Sequence, residues 1–146
     1  LHHNRKMPII NRGYYNRAKC IGDVVDSFLS LCAKDKRVQL VNLGAGYDTL
    51  TLNLLSQSTT ATLYCFEVDF PTVLARKTRL LESHCGDMIP PLVEERLKSV
   101  AADLSDAHAV LEELLHAGFD TTAPTIFITE CVLVCKLIYV LVVRMS

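Results

Sequence analysis

The sequence predicts an α/β fold: a parallel sheet with helices on both faces. Short apolar runs alternate with amphipathic helical stretches, and the small-residue turn Gly44-Ala45-Gly46 joins the first run to a helix. The later runs end at or pass through acidic residues, Asp69, Asp103 and Glu130. Alternation of this kind lays successive strands side by side and puts the crossover helices over the sheet.

The elements follow in order. Residues 1–12 are basic and irregular, and Pro8 is expected to block an early helix. From Arg17 onward Ile21, Val24, Val25, Phe28, Leu29 and Cys32 recur at helical spacing, and Lys34-Asp35-Lys36-Arg37 closes the helix with positive charge. Val38 to Leu43 reads as a buried strand and Asp48 to Leu55 as a short helix. After a polar loop, Ala61 to Val68 is the second strand. Phe70-Pro71 then opens a helix through Val73, Leu74, Lys77 and Leu81. A loop around Gly86, Pro90 and Pro91 leads into a short helical piece at 92–97 and a third strand, Ser99 to Ala102. Asp106 to His116 is the best-marked helix, stopped by Gly118, and Thr125 to Val134 is a fourth, almost wholly apolar strand. No internal repeat is visible. The expected organisation is a single, partial domain over 1–146, truncated after the fourth strand, with residues 135–146 as an atypical apolar tail.

Composition narrows the function classes. With 50% hydrophobic and 21% charged residues in 146, the chain can bury a core, which excludes disorder as its description. A net charge of -1 and a pI near 6.6 give no electrostatic footprint for nucleic acid or an anionic membrane. Cys20, Cys32, Cys65 and Cys131 sit in apolar periodic stretches, no CxxC occurs and no secretory signal opens the chain, so a reducing, cytoplasmic setting is expected. The five histidines form no ligand cluster and no metal site is assigned. The apolar stretch from Ile126 to Val143 raises a transmembrane question. Glu130 and Lys136 interrupt it, each costing about 2.5–3.5 kcal/mol at mid-bilayer, so a buried strand and an apolar tail are the expected reading.

In doubly wound sheets, ligands bind beyond the carboxyl ends of the strands. Gly44-Ala45-Gly46 lets backbone approach a ligand closely, and Glu67-Val68-Asp69 puts a carboxylate where ribose hydroxyls are read. Asp103-Leu104 and Glu130 follow on the next two strands. Each has a structural alternative: a tight turn for the glycines, a helix cap for Asp69, a turn for Asp103. Their coincidence at one edge favours a nucleotide-type ligand. A dinucleotide loop asks for a third glycine where Thr49 stands, which turns the reading toward S-adenosylmethionine, a ligand with no pyrophosphate to cradle.

Larger segments resemble the leucine carboxyl methyltransferase family. They are Ile10-Asn11-Arg12-Gly13-Tyr14-Tyr15-Asn16-Arg17, Val41 to Thr49, Phe66-Glu67-Val68-Asp69-Phe70-Pro71, Ala102-Asp103-Leu104, and Pro124-Thr125 through Glu130 to Val134. They stand in the family's order and cover most of residues 8–134. The resemblance implies a Rossmann-like class I S-adenosylmethionine-dependent methyltransferase that esterifies the C-terminal leucine carboxylate of the protein phosphatase 2A catalytic subunit, acting as a monomer. It implies Arg17 at the donor's carboxylate, Gly44 against its backbone and Asp69 on its ribose. Asp103 and Leu104 would flank adenine and Glu130 would sit near the amino group, with Arg12 a further member of the site. No catalytic acid or base is implied. A related branch acts on a carboxyl of a hypermodified guanosine in transfer RNA, in the wybutosine pathway, and the Glu130-Cys131-Val132-Leu133-Val134 wording leans toward the phosphatase-directed branch.

The pattern departs from the family at Cys135, where a tyrosine is expected, and Lys136 to Val143 shows no resemblance. On this reading the chain is an N-terminal fragment lacking its substrate-binding elements and a preceding helical segment. It would bind the donor weakly and methylate poorly. A truncated polypeptide that only binds a partner is the alternative of another class.

Overall fold

A computed structural model describes residues 8–57, 62–85, 91–130 and 140–143. The chain divides into two compact units, Leu1–Lys34 and Asp35–Ser146.

The described part of the first unit centres on one helix, α1 (Pro8–Leu31). It begins nine residues ahead of the apolar stripe that starts at Arg17. Pro8 is its first residue, where a missing N–H has no intrahelical partner to lose, so the proline opens the helix instead of blocking it. The helix ends at Leu31 with no basic residue in its last turn, so the cluster at 34–37 lies beyond it.

The second unit runs β1 (Val38–Leu43), α2 (Leu50–Gln57), β2 (Leu63–Asp69), α3 (Pro71–Cys85), α4 (Pro91–Arg96), β3 (Leu97–Ala101), α5 (Ala107–His116), β4 (Thr125–Thr129) and β5 (Val140–Val143). The strands form one sheet in the order β3-β2-β1-β4-β5. β1 pairs in parallel with β2 (Val41 with Phe66) and with β4 (Val41 with Phe127), and β2 pairs in parallel with β3 (Val68 with Val100). Winding therefore reverses between β1 and β4, the point at which such sheets open a crevice beyond the strand ends.

The expected α/β class and parallel four-strand sheet hold, but the sheet does not stop after the fourth strand. Val140–Val143, inside the apolar tail, pairs antiparallel with β4, from Ile128 opposite Val140 to Thr125 opposite Val143. The run Val-Leu-Val-Val has no period-2 signal, yet its β-branched residues suit a strand, and the outer edge of β4 offers unpaired backbone groups. The fourth strand is also shorter than expected, ending at Thr129, and residues 131–134 lie outside the described residues.

Alternation along the strands gives the sheet two buried faces. On one, Val41, Phe66, Val68 and Val100 pack with Ala102 and with Leu114 of α5. Phe119 meets Phe66 edge-on with centroids 5.7 Å apart, a favoured aromatic geometry. On the other face Leu40, Cys65, Ile126 and Ile128 are buried, and α2 and α3 attach through Thr51 and Lys77 to Glu67. Fully burying a side chain such as Phe66 or Ile126 stabilises by about 1.5–3 kcal/mol.

The opposite end of the sheet is tied by Gln39, the buried second residue of β1. Its amide donates to the Asp120 carbonyl (2.8 Å) and the Thr125 hydroxyl (3.0 Å), and its oxygen accepts the Asp120 N–H (2.9 Å). Nearby Arg37 lies over the Tyr64 ring at 4.1 Å and donates to the Gly118 carbonyl at 2.6 Å. Among the described residues no helix is long and apolar enough to cross a membrane.

Candidate functional site

β1 ends at Leu43 because the next three residues turn the chain away from the sheet. Gly44 (φ 72°) and Gly46 (φ 50°) occupy the left-handed region, a backbone conformation that glycine adopts readily and that strains an L side chain. The turn leans on β2: the N–H groups of Gly44 and Ala45 both donate to the Val68 carbonyl, at 2.7 and 3.2 Å. The Asp48 N–H then closes on the Ala45 carbonyl at 2.9 Å, and its carboxylate accepts the Leu50 N–H at 3.1 Å as α2 begins.

Asp69, last residue of β2, meets this loop directly. Its Oδ2 accepts the Gly46 N–H and its Oδ1 the Phe70 N–H, both at 2.7 Å. Asp69 is therefore not the cap of α3; Phe70, whose carbonyl accepts from Val73 and Leu74, stands at that position. Asp69 is half-buried, and each carboxylate oxygen retains acceptor capacity beyond the one bond it makes.

Three further expected residues, Asp103, Leu104 and Glu130, stand at the same edge. The Ala102 N–H donates to the Asp69 carbonyl at 3.1 Å, which sets Asp103 beside the end of β2. Asp103 is exposed and its Oδ1 accepts the Ser105 N–H at 2.9 Å, the turn role expected as its structural alternative. That backbone N–H, with the Ser105 hydroxyl, holds the Asp103 carboxyl below the usual range. Leu104 is half-buried and packs against the cluster of Val41, Phe66 and Val100. Glu130 follows Thr129, whose partner in β1 is Leu43, so it adjoins the glycine turn at the switch point. Arg12 and Arg17 lie on α1; the Arg17 guanidinium carbon is 5.1 Å from the centroid of the Tyr14 ring. The donor-carboxylate role expected for Arg17 rests on its motif alone.

Beneath the loop, residues of α2, β2 and α3 form a unit that no motif in the sequence announces. Glu67, buried in β2, accepts the Thr51 hydroxyl on Oε1 and faces Lys77 Nζ at 2.6 Å on Oε2. Lys77 also donates to the Asp48 carbonyl at 2.5 Å. The signal was present in the sequence: Lys77 stands on the apolar stripe of α3 with Val73, Leu74 and Leu81, and a lysine facing a core needs an acid to face it. Exposed aromatics border the loop, with Tyr47 under Arg76 at 5.8 Å and Phe70 half-exposed. Among the described residues no cluster of potential metal ligands occurs.

Comparison with known proteins follows the same segments. A profile of the leucine carboxyl methyltransferase family matches residues 2–135. Leucine carboxyl methyltransferase 1 of Rattus norvegicus is 35% identical over 145 residues, covering 89% of this chain and 43% of that protein. The Arabidopsis thaliana homolog of that protein is 30% identical, covering 89% and 42%. The tRNA wybutosine-synthesizing protein 4 of Rattus norvegicus is 32% identical, covering 88% and 21%. The chain thus spans less than half the length of these relatives. A solved methyltransferase domain, of bacterial CtHen1-CN, overlaps 74% of this chain and 62% of its own at 21% identity and a TM-score of 0.42, too loose a likeness to bear on the fold. The profile match covers nearly the whole sequence and takes in the glycine turn, the Asp69 strand end, Asp103 and Glu130; the chain belongs to the leucine carboxyl methyltransferase family.

Proposed function

We propose that this chain forms the methyl-donor side of an S-adenosylmethionine-dependent carboxyl methyltransferase acting on the C-terminal leucine of the protein phosphatase 2A catalytic subunit. The observation that carries the reading is the bond between the Gly46 N–H and Asp69, within a chain of this family. It joins a turn of small residues to a half-buried carboxylate with acceptor capacity to spare. Those features suit a nucleoside whose ribose hydroxyls need an acceptor.

In this reading Asp69 holds the ribose, Gly44 leaves room for the donor, Asp103 and Leu104 border the adenine, Glu130 receives the amino group and Arg17 the carboxylate. When bound, S-adenosylmethionine supplies a methyl group on a sulfonium that leaves as a neutral thioether. The acceptor is a C-terminal carboxylate with a reference pKa of about 3.3–3.7, already ionised near neutral pH. The chain's residues therefore have no proton to move. Their work is to orient the reacting groups and exclude water, so that two opposite charges meet in a poorly solvated site. The buried free thiol Cys65 suits a reducing, cytoplasmic setting.

Titration calorimetry of the chain with S-adenosylmethionine tests the donor reading, with saturable one-to-one binding expected and no binding at millimolar donor overturning it. Transfer of labelled methyl to the phosphatase catalytic subunit, beside a wybutosine-pathway transfer RNA intermediate, tests the acceptor. Labelling of the RNA alone would move the assignment to the branch represented by the wybutosine relative.

A further inference from the structure

Beneath the glycine loop lies a buried ion pair that the donor-binding roles leave unused. The side chains of Lys77 and Glu67 are 6% and 2% exposed, with Nζ to Oε2 at 2.6 Å. Such a pair is a poor source of stability, because the cost of taking two charges out of water offsets most of their attraction. An apolar pair of similar volume would hold α3 to the sheet as well. An apolar pair could not donate to a backbone carbonyl, and Lys77 Nζ does so, reaching the Asp48 carbonyl at 2.5 Å. That carbonyl belongs to the descending limb of the loop, whose N–H closes on Ala45 at 2.9 Å. The opposite limb is fixed by Asp69 through the Gly46 N–H. Side chains from α3 and β2 thus hold the loop at two points, and Thr51 fixes the carboxylate that orients Lys77.

We propose that Lys77 is a positioning residue for the methyl-donor loop, aimed at the Asp48 carbonyl by Glu67 and Thr51. It sets the path of Gly44 to Tyr47 before the donor arrives, and it touches no donor atom. A loop ordered in advance loses less freedom on binding, so the pair contributes to affinity through preorganisation. The inference rests on the donor reading given above and goes beyond it by assigning the loop's support.

The test compares the unaltered chain with the double variant Glu67→Gln/Lys77→Met, which removes both charges together and strands neither. Three quantities are measured: donor Kd by calorimetry, the midpoint of thermal unfolding, and amide hydrogen exchange. The double variant is expected to unfold cooperatively within a few degrees of the unaltered chain. Its donor Kd should rise about tenfold, with faster exchange at Gly46 to Asp48 and unchanged exchange in β1 and β2. A Kd within about twofold of the unaltered chain, with loop exchange unchanged, overturns the proposal and leaves the donor reading standing. Absence of donor binding by the unaltered chain overturns both. Should the double variant not fold, Thr51→Val decides, since it keeps both charges and loosens only the carboxylate. A Kd raised about threefold supports the proposal, and an unchanged Kd overturns it.

Discussion

The Gly46 N–H donates to Asp69 Oδ2 at 2.7 Å, joining the turn after β1 to the end of β2 across 23 residues of sequence. Two features readable in the sequence as separate motifs are therefore one piece of structure. If Asp69 also holds the donor ribose, as proposed, its removal should disturb both the loop and donor binding.

Asp69→Ala leaves the N–H groups of Gly46 and Phe70 without their carboxylate acceptor. Bonds to a charged acceptor are worth about 1.5–3 kcal/mol when buried, and at this half-buried position a total loss of about 1–2 kcal/mol is expected from denaturant unfolding. Under the proposed donor reading, affinity should fall by more, roughly 30-fold, because the ribose acceptor would go with the loop's anchor. A variant with lowered stability and unaltered donor affinity would limit Asp69 to a structural role.

Gly46→Ala isolates the backbone from the contacts. An added Cβ meets only the Gly44 carbonyl oxygen, at 3.9 Å, so space is available. The cost comes from φ of 50°, where an L side chain is strained by about 1–2 kcal/mol. Denaturant unfolding should show that loss at an unchanged m-value. An equally stable variant would mean that the loop readily takes another path.

How far these relationships could be read beforehand varies by element. The limits of β1 follow from Val38 to Leu43, an apolar run closed by glycines. The buried Gln39 within it could not be interpreted, because its partners Asp120 and Thr125 lie more than 80 residues away. Sequence alone points to Pro8 as a block, since proline at a first helical position and proline before a helix look alike in sequence. β5 is not legible in the sequence, because an unpatterned apolar tetrapeptide shows nothing of the strand it will pair with. Among site residues, Gly44, Asp69, Asp103 and Glu130 could be placed by topology, since strand ends share an edge. Lys77 could not, because its role depends on a carbonyl 29 residues away.

Acid should act on the surface turns that flank the sheet. The carboxyl of Asp103 is held below its usual range by the Ser105 N–H and hydroxyl, and that of Asp120 by the Thr122 hydroxyl and N–H, with Arg37 adding to it. For carboxyls depressed in the folded state, the stabilisation is present above the unfolded pKa of about 3.9 and is lost as pH falls through the lowered values. Carbon-detected NMR titration should therefore place both midpoints below that reference. Midpoints at or above it would mean that neither turn forms in solution.

Cysteine reactivity tests the sheet itself. Cys65 is buried at the centre of β2, and burial, with the Glu67 charge adding to it, pushes its thiol up to about 12. At pH 8 the thiolate, the reactive form, is then about one part in ten thousand, and reagent has no path to it. Cys20 is exposed on α1 and open to reagent. Timed alkylation of the native chain, mapped by peptide mass spectrometry, should modify Cys20 within minutes and Cys65 only at the rate of global unfolding. Denaturant should remove the difference. Equal rates in the native chain would mean that β2 is not the buried second strand of a parallel sheet, and the register that brings Asp69 to Gly46 would fall with it.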